Sequence, residues 1–228
     1  MPTVQYKDIT SEDLGVICVD VGRRQGAEEQ LETYSIPYRD DEPTVHTDTF
    51  LPYLRPMVFA SKNAANFKNI AKWLQGYGKL RTSKDPGGYF KANVISQRPV
   101  SRHSLNYDYI QVVFKINPGF FFLDSGDTPI PIGAPGTITN IGTHTAKPYM
   151  KITGSGNIDI TINGRMFSLI GIVDYIELDS ETEYAYRATA NAGDKMEGDF
   201  PYFDAGDNLI SWTGTVTNIQ IIPRWREL

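Results

Sequence analysis

The chain of 228 residues has one cysteine, Cys18, so no intrachain disulfide can form. That suits assembly in a reducing compartment, or a particle that does not rely on disulfides outside the cell. Cys18 lies in the apolar stretch Val16–Val19, where a buried small hydrophobe is expected rather than a reactive thiol. Histidine is nearly as scarce: His46, His103 and His144 are scattered, with no His-x-His pair and no His-Glu-x-x-His. A zinc site is therefore not expected, since its ligands come in local pairs and thiolates are lacking. No Gly-x-Ser-x-Gly elbow is present to raise an acyl-transfer nucleophile. The apolar run Phe167–Ile172 is too short to span a bilayer. The opening MPTVQYKDITSEDLG is polar and acidic, so no signal peptide is expected. Positive charge is in deficit, with 22 Lys and Arg against 27 Asp and Glu and a net charge of -5. Standing affinity for a phosphate backbone, which needs clustered bases, is not expected.

What is abundant points to strands. The chain carries 13 Tyr and 11 Phe, residue types that suit pleated, half-buried surfaces. Turn signals recur at Pro86-Gly87-Gly88, Asn117-Pro118-Gly119, Pro135-Gly136, Asn163-Gly164 and Gly206-Asp207-Asn208. The clearest hairpin is Ile158-Asp159-Ile160-Thr161-Ile162, Asn163-Gly164, then Arg165-Met166-Phe167, because Asn-Gly tolerates the positive φ of both central positions of a type I′ turn. One segment, 61–76, predicts a helix. Ser61 would cap its start and Gly76 its end, with Phe67, Ile70, Ala71 and Leu74 on the buried face and Trp73 beside them.

The fold class that follows is mainly β. Residues 117–136 hold four prolines and four glycines, a density that interrupts ladders and helices alike. The expected organisation is an N-terminal β-sandwich with one packed helix over 1–125, a linker at 126–136, and a C-terminal β-sandwich over 137–228. Within the first part, the stretch 22–48 departs from the strand rhythm. Around Leu31–Tyr38 it predicts a strand flanked by charged, exposed arms, and such excursions suit a neighbour's sheet edge.

Three further patterns invite a chemical reading. The alternation Asp179-Ser180-Glu181-Thr182-Glu183 offers carboxylates for calcium or glycosidic chemistry. Tyr184 stands where an EF-hand loop needs glycine, so a solvated turn is the simpler expectation. Gly154-Ser155-Gly156 lacks the helix that a phosphate loop requires, and predicts a turn. In Arg224-Trp225-Arg226, packing of Trp225 on the sandwich is expected, leaving Arg226 to pair with a carboxylate.

Several stretches, in order, resemble one family. They are Ala71-Lys72-Trp73-Leu74-Gln75-Gly76-Tyr77-Gly78-Lys79-Leu80, Tyr89-Phe90-Lys91-Ala92, Ile176-Glu177-Leu178-Asp179-Ser180-Glu181, Gly206-Asp207-Asn208-Leu209-Ile210, and Pro223-Arg224. Taken together they resemble the distal tail proteins (Dit) of long-tailed phages that infect Gram-positive bacteria. One departure stands out: Pro37-Tyr38-Arg39-Asp40-Asp41 replaces the Pro-Gly-Arg-Asp-Gly common in that family, so a different turn is expected there.

The resemblance implies an N-terminal ring-forming domain and an outward, galectin-like C-terminal sandwich. Its implied role is a hexameric hub in the virion, assembled in the host cytoplasm. That hub would join the tail tube protein to the tail-tip protein, and in some phages to receptor-binding proteins, around a passage for DNA. No enzymatic activity, cofactor or membrane insertion is implied. A closed ring needs two different complementary surfaces per subunit, and the candidates for one of them are Arg23, Arg24, Leu31, Tyr34, Ile36, Tyr38 and Arg39. The competing reading is a carbohydrate-binding module for host glycans. Galectin-type recognition asks for His-x-Asn-x-Arg, which His144-Thr145-Ala146-Lys147 lacks.

Overall fold

The computed structural model describes residues 2–38, 40–62, 66–104 and 107–228, with the side chains of all of these but 48, 66, 67 and 99–104. The chain divides into two compact units, Met1–Phe121 with Leu228, and Phe122–Glu227. Both are built mainly of antiparallel strands.

The first unit contains β1 (Val4–Tyr6), β2 (Ile9–Thr10), β3 (Ile17–Asp20), β4 (Glu28–Thr33), β5 (Thr44–Leu51), β6 (Tyr53–Ser61), α1 (Asn66–Trp73), β7 (Tyr77–Thr82), β8 (Asp85–Ser104) and β9 (Tyr107–Leu123). Its main sheet runs in the order β2-β1-β7-β8-β9-β6-β3. Strand β6 shows why one face is a core. Tyr53, Arg55, Met57 and Phe59 point inward at every second position, and the paired β9 answers with Ile110, Val112, Phe114 and Ile116. Arg55 is the charged exception in this row. It is buried, but its Nη2 donates to Asp85 Oδ2 at 2.8 Å, its Nε donates to the Val21 carbonyl at 2.9 Å, and its guanidinium lies over Phe90. Pairing of this kind is what makes a buried charge tolerable. Cys18 is buried as expected, and burial first of all pushes its thiol up to about 12.

The helix is shorter than its pattern. Ser61 is the last residue of β6, so the expected cap does not form there, and residues 63–65 lie outside those described, as does the side chain of Phe67. Ile70 and Leu74 are buried, and Trp73 is a core residue. Its Nε1 donates to the Tyr6 carbonyl at 3.1 Å and its ring meets Phe59 edge-on at 5.8 Å. Gly76 ends the segment with φ 66°.

The second unit contains β10 (Ile130–Ile132), β11 (Gly136–Asn140), β12 (Tyr149–Ile162), β13 (Arg165–Asp179), β14 (Tyr184–Arg187), β15 (Ala190–Asn191), β16 (Met196–Glu197), β17 (Gly206–Ile222) and β18 (Arg226–Glu227). The order is β10-β17-β12-β13-β14-β15, with β11 also on β17 and β16 on β13. Strands β12 and β13 join through Asn163-Gly164, with φ of 51° and 81°, as the Asn-Gly pair predicts.

Gly154-Ser155-Gly156 is not a turn. It lies inside β12, where the ladders to β13 and β17 both slip register. The bend there is glycine-dependent. A Cβ on Gly154 would meet the Thr215 carbonyl at 2.2 Å, and one on Gly214, at φ 88°, would meet the Asn157 carbonyl at 2.3 Å. Bulged in this way, the long strands carry Met150 and Ile152 on one side of the bend and Ile158, Ile160 and Ile162 on the other into a single core.

The linker expected at 126–136 is not one. Asp124–Asp127 form a 3-10 turn, β10 pairs with β17, and the second unit begins at Phe122. Pro131 is tolerated because β10 is an edge strand, where a missing amide costs no ladder bond. Phe120 and Phe121 belong to the first unit, against Phe50 and Phe90 respectively.

Candidate assembly surface

Strands β4 and β5 stand apart from the main sheet as a two-stranded ribbon. The strand expected over Leu31–Tyr38 is displaced toward the N-terminus: β4 ends at Thr33, before Pro37, and its partner is β5. Pairing sets Leu31 opposite His46 and Glu32 opposite Val45, so the apolar Leu31 and Val45 occupy opposite faces. Each is 49% exposed. A bare two-stranded ribbon is marginal in water, and this one shows apolar side chains on both faces.

The ribbon's foot is fixed. Phe50 meets Phe120 edge-on at 5.0 Å, and Gly119 comes so close that a Cβ there would sit 2.9 Å from the Leu51 carbonyl. Within the ribbon, His46 Nδ1 lies 2.9 Å from Glu29 Oε2, Thr47 Oγ1 donates to the Gln30 carbonyl at 2.5 Å, and the Tyr34 amide donates to the Pro43 carbonyl at 3.1 Å. Tyr34 also donates its hydroxyl to Glu32 at 2.7 Å. The arm is therefore shaped, held at one end and uncovered at the other.

The predicted residues fall into two groups. Leu31 lies on β4, and Tyr34, Ile36 and Tyr38 follow it on the segment that links β4 to β5, all exposed. Arg23 is exposed on the approach to the arm. Arg24 is an anchor, its guanidinium 4.8 Å from the centre of Phe121 and 5.9 Å from that of Phe90. Arg39 lies outside the described residues. Tyr38 takes φ 68°, the left-handed region that glycine favours, although no glycine is there. Sequence reasoning missed Val45, Leu51 and the edge strand β3, whose Val19 is exposed and which pairs with β6 at the end of the sheet order. The ribbon is acidic by sequence, with Glu28, Glu29, Glu32, Asp40, Asp41, Glu42 and Asp48 against Arg39 and His46.

Two of the three alternating carboxylates, Asp179 and Glu181, are structural. Arg224 donates to both oxygens of Asp179, and Glu181 lies 3.4 Å from the same guanidinium. Arg224 thus clasps Asp179, while the charge of Glu181 also acts on Arg226. Arg226 Nε donates to the Thr145 carbonyl at 2.5 Å, and burial lowers its guanidinium to about 10. Trp225 packs on Phe203 as expected. His46 is on the ribbon, Asn140 Nδ2 donates to the His144 carbonyl, and the side chain of His103 is outside those described. Among the described residues no group of three or more His, Cys, Asp or Glu is placed to hold a metal ion, and no helix is long and apolar enough to cross a membrane.

No family profile and no curated protein matches this sequence. Solved structures do. The SPP1 Dit (gp 19.1) protein, described as a paradigm of the hub adsorption apparatus in phages infecting Gram-positive bacteria, superposes with a TM-score of 0.74 at 9% identity, covering 97% of this chain and 98% of that one. Chains of the phage P2 baseplate in its activated conformation, with Ca and with Sr, give a TM-score of 0.52 at 9% and 8% identity, each covering 97% of both chains. The fold is that of a distal tail protein.

Proposed function

We propose that this chain is a distal tail protein: a non-enzymatic hub of a phage tail, located in the virion. The observation that carries the reading is the likeness to the SPP1 hub protein, which runs through both units and nearly the full length of each chain. The finer proposal is a hexameric ring of first units. Each subunit would offer its β4–β5 arm, through Leu31, Tyr34, Ile36 and Tyr38, to a different surface on the next, with Arg23 and Arg39 at the margins. Two features support it: an arm whose apolar side chains lack cover, and a sheet with an open edge at β3. Unlike surfaces on one subunit generate a closed ring when the rotation per step closes.

In this reading the ring joins the tail tube protein to the tail-tip protein, with receptor-binding proteins on the outer units. Its channel passes DNA without binding it, in keeping with the acidic balance of the chain. The ring would be assembled in the host cytoplasm. Light scattering and negative-stain microscopy of the purified chain test it. Rings of about six subunits are expected, and a chain that stays monomeric with rising concentration would overturn it.

A further inference from the structure

We propose that the second unit binds a neutral saccharide in a groove along the loop 198–202. Three hollows of about 230, 290 and 230 Å³ lie side by side, and all three are lined by Phe200. The first two also share Asp199 and Tyr202. Neighbouring hollows that share an aromatic side chain suit adjoining rings of a short saccharide.

The middle hollow carries an independent mark of a missing partner. Ser180 lines it, is 2% exposed, and its Oγ has no hydrogen-bond partner among the described residues. A buried hydroxyl left in this state calls for a polar group at the floor of the hollow, and a sugar hydroxyl supplies one, directly or through an ordered water. Beside it, Lys147 and Glu183 are only loosely paired at 3.8 Å and remain able to donate and accept.

The chemistry matches a pyranose. Such a ring has an apolar C–H face, which Phe200 and Tyr202 can cover, and a rim of hydroxyls that both donate and accept. The carboxylates of Asp199 and Glu183 accept from that rim and Lys147 donates to it, so the lining carries both signs and suits an uncharged ring. The wall is also fixed in advance. Arg165 stacks on Tyr202 at 3.9 Å and is held by Asp204 at 2.9 Å, while Asn163 and Asn208 in turn hold Asp204. A preorganised wall lowers the entropy lost on binding. This inference goes beyond the hub reading and does not depend on ring formation.

The full chain should be titrated with maltotriose, chitotriose and lactose by saturation-transfer NMR and calorimetry. At least one should saturate at millimolar concentration, with Phe200→Ala weakening it at least about fivefold, as loss of an aromatic platform implies. Because Phe200 also packs on the core, Asp199→Ala is the control. This exposed residue can change without disturbing the fold, and the same sugar should again bind more weakly. The proposal is overturned if none of the three saturates at tens of millimolar, if binding survives both substitutions unchanged, or if only a glycerol-phosphate polymer binds.

Discussion

Arg224 clasps Asp179 with both terminal nitrogens, Nη1 at 2.6 Å and Nη2 at 2.9 Å, and so ties the chain's last turn to the end of β13. Arg224 itself sits at φ 56°, and its amide donates to the Gly126 carbonyl at 2.8 Å. The clasp directs Trp225 onto Phe203 in the core. Asp179 and Glu181 are thereby committed to holding the second unit closed.

The clasp makes that unit acid-sensitive in a defined window. Burial alone would raise the Asp179 carboxyl, but the hydrogen bonds and charge of Arg224, with the amides of Glu181 and Thr182, outweigh it and hold the group below its ordinary 3.8. A depressed carboxyl stabilises above its unfolded value, and that contribution is lost as pH falls through the folded one. Urea unfolding should therefore show stability falling below about pH 4, with Asp179→Asn flattening that part of the curve. At neutral pH the same substitution should cost about 1–3 kcal/mol.

Leu31→Lys together with Val45→Lys should leave the thermal midpoint within about 2 °C, since both side chains are half exposed and position 45 faces Glu32 across the ribbon. The same pair should abolish the proposed oligomer in sedimentation velocity. Loss of folding by the double variant would instead place these residues in a monomer's core.

Tyr38→Gly separates backbone strain from contact. Glycine accepts φ 68° without a Cβ penalty, so the monomer should be unchanged or more stable by about 1 kcal/mol. If the exposed ring serves assembly, sedimentation should show a weaker oligomer despite the relaxed turn.

Gly214→Ala should destabilise the second unit by more than about 2 kcal/mol, because the new Cβ meets the Asn157 carbonyl at 2.3 Å and the backbone stays at φ 88°. Gly164→Ala, with nothing within 4 Å, is the comparison for positive φ alone. Chemical denaturation of the two should separate the close approach from the conformational cost.

Trp73→Phe should cost about 1 kcal/mol for the hydrogen bond to Tyr6, and Trp73→Ala about 3–5 kcal/mol through the cavity beside Phe59. Native Cys18 should resist thiol reagents at pH 8, since burial holds it up near 12, and react only on unfolding.

Local periodicity reached the strands and little beyond them. The alternation in β12 and the Asn163-Gly164 turn lie within a few residues of each other, so the sequence contains all the information that pairs them. The helix pattern at 61–76 overran because Ser61 is drawn into β6, where pairing with Asp108 on β9 outweighs its value as a cap. Proline and glycine density at 126–136 signals irregular backbone, but an edge strand and a linker look alike until a partner is seen. Here the partner, β17, is some ninety residues downstream.

The sequence by itself determined the β class, the absence of disulfide chemistry, the Asn-Gly hairpin and the likeness to distal tail proteins, because each rests on local pattern or on ordered short motifs. Only the tertiary structure decided that β4 pairs with β5 into an uncovered arm, that Gly154 and Gly214 bend the long strands around one core, that Arg224 takes Asp179, and that the Ser180 hydroxyl has no partner among the described residues. Those are long-range contacts. They depend on which strands meet, and at these separations chain statistics carry no local signature of the meeting.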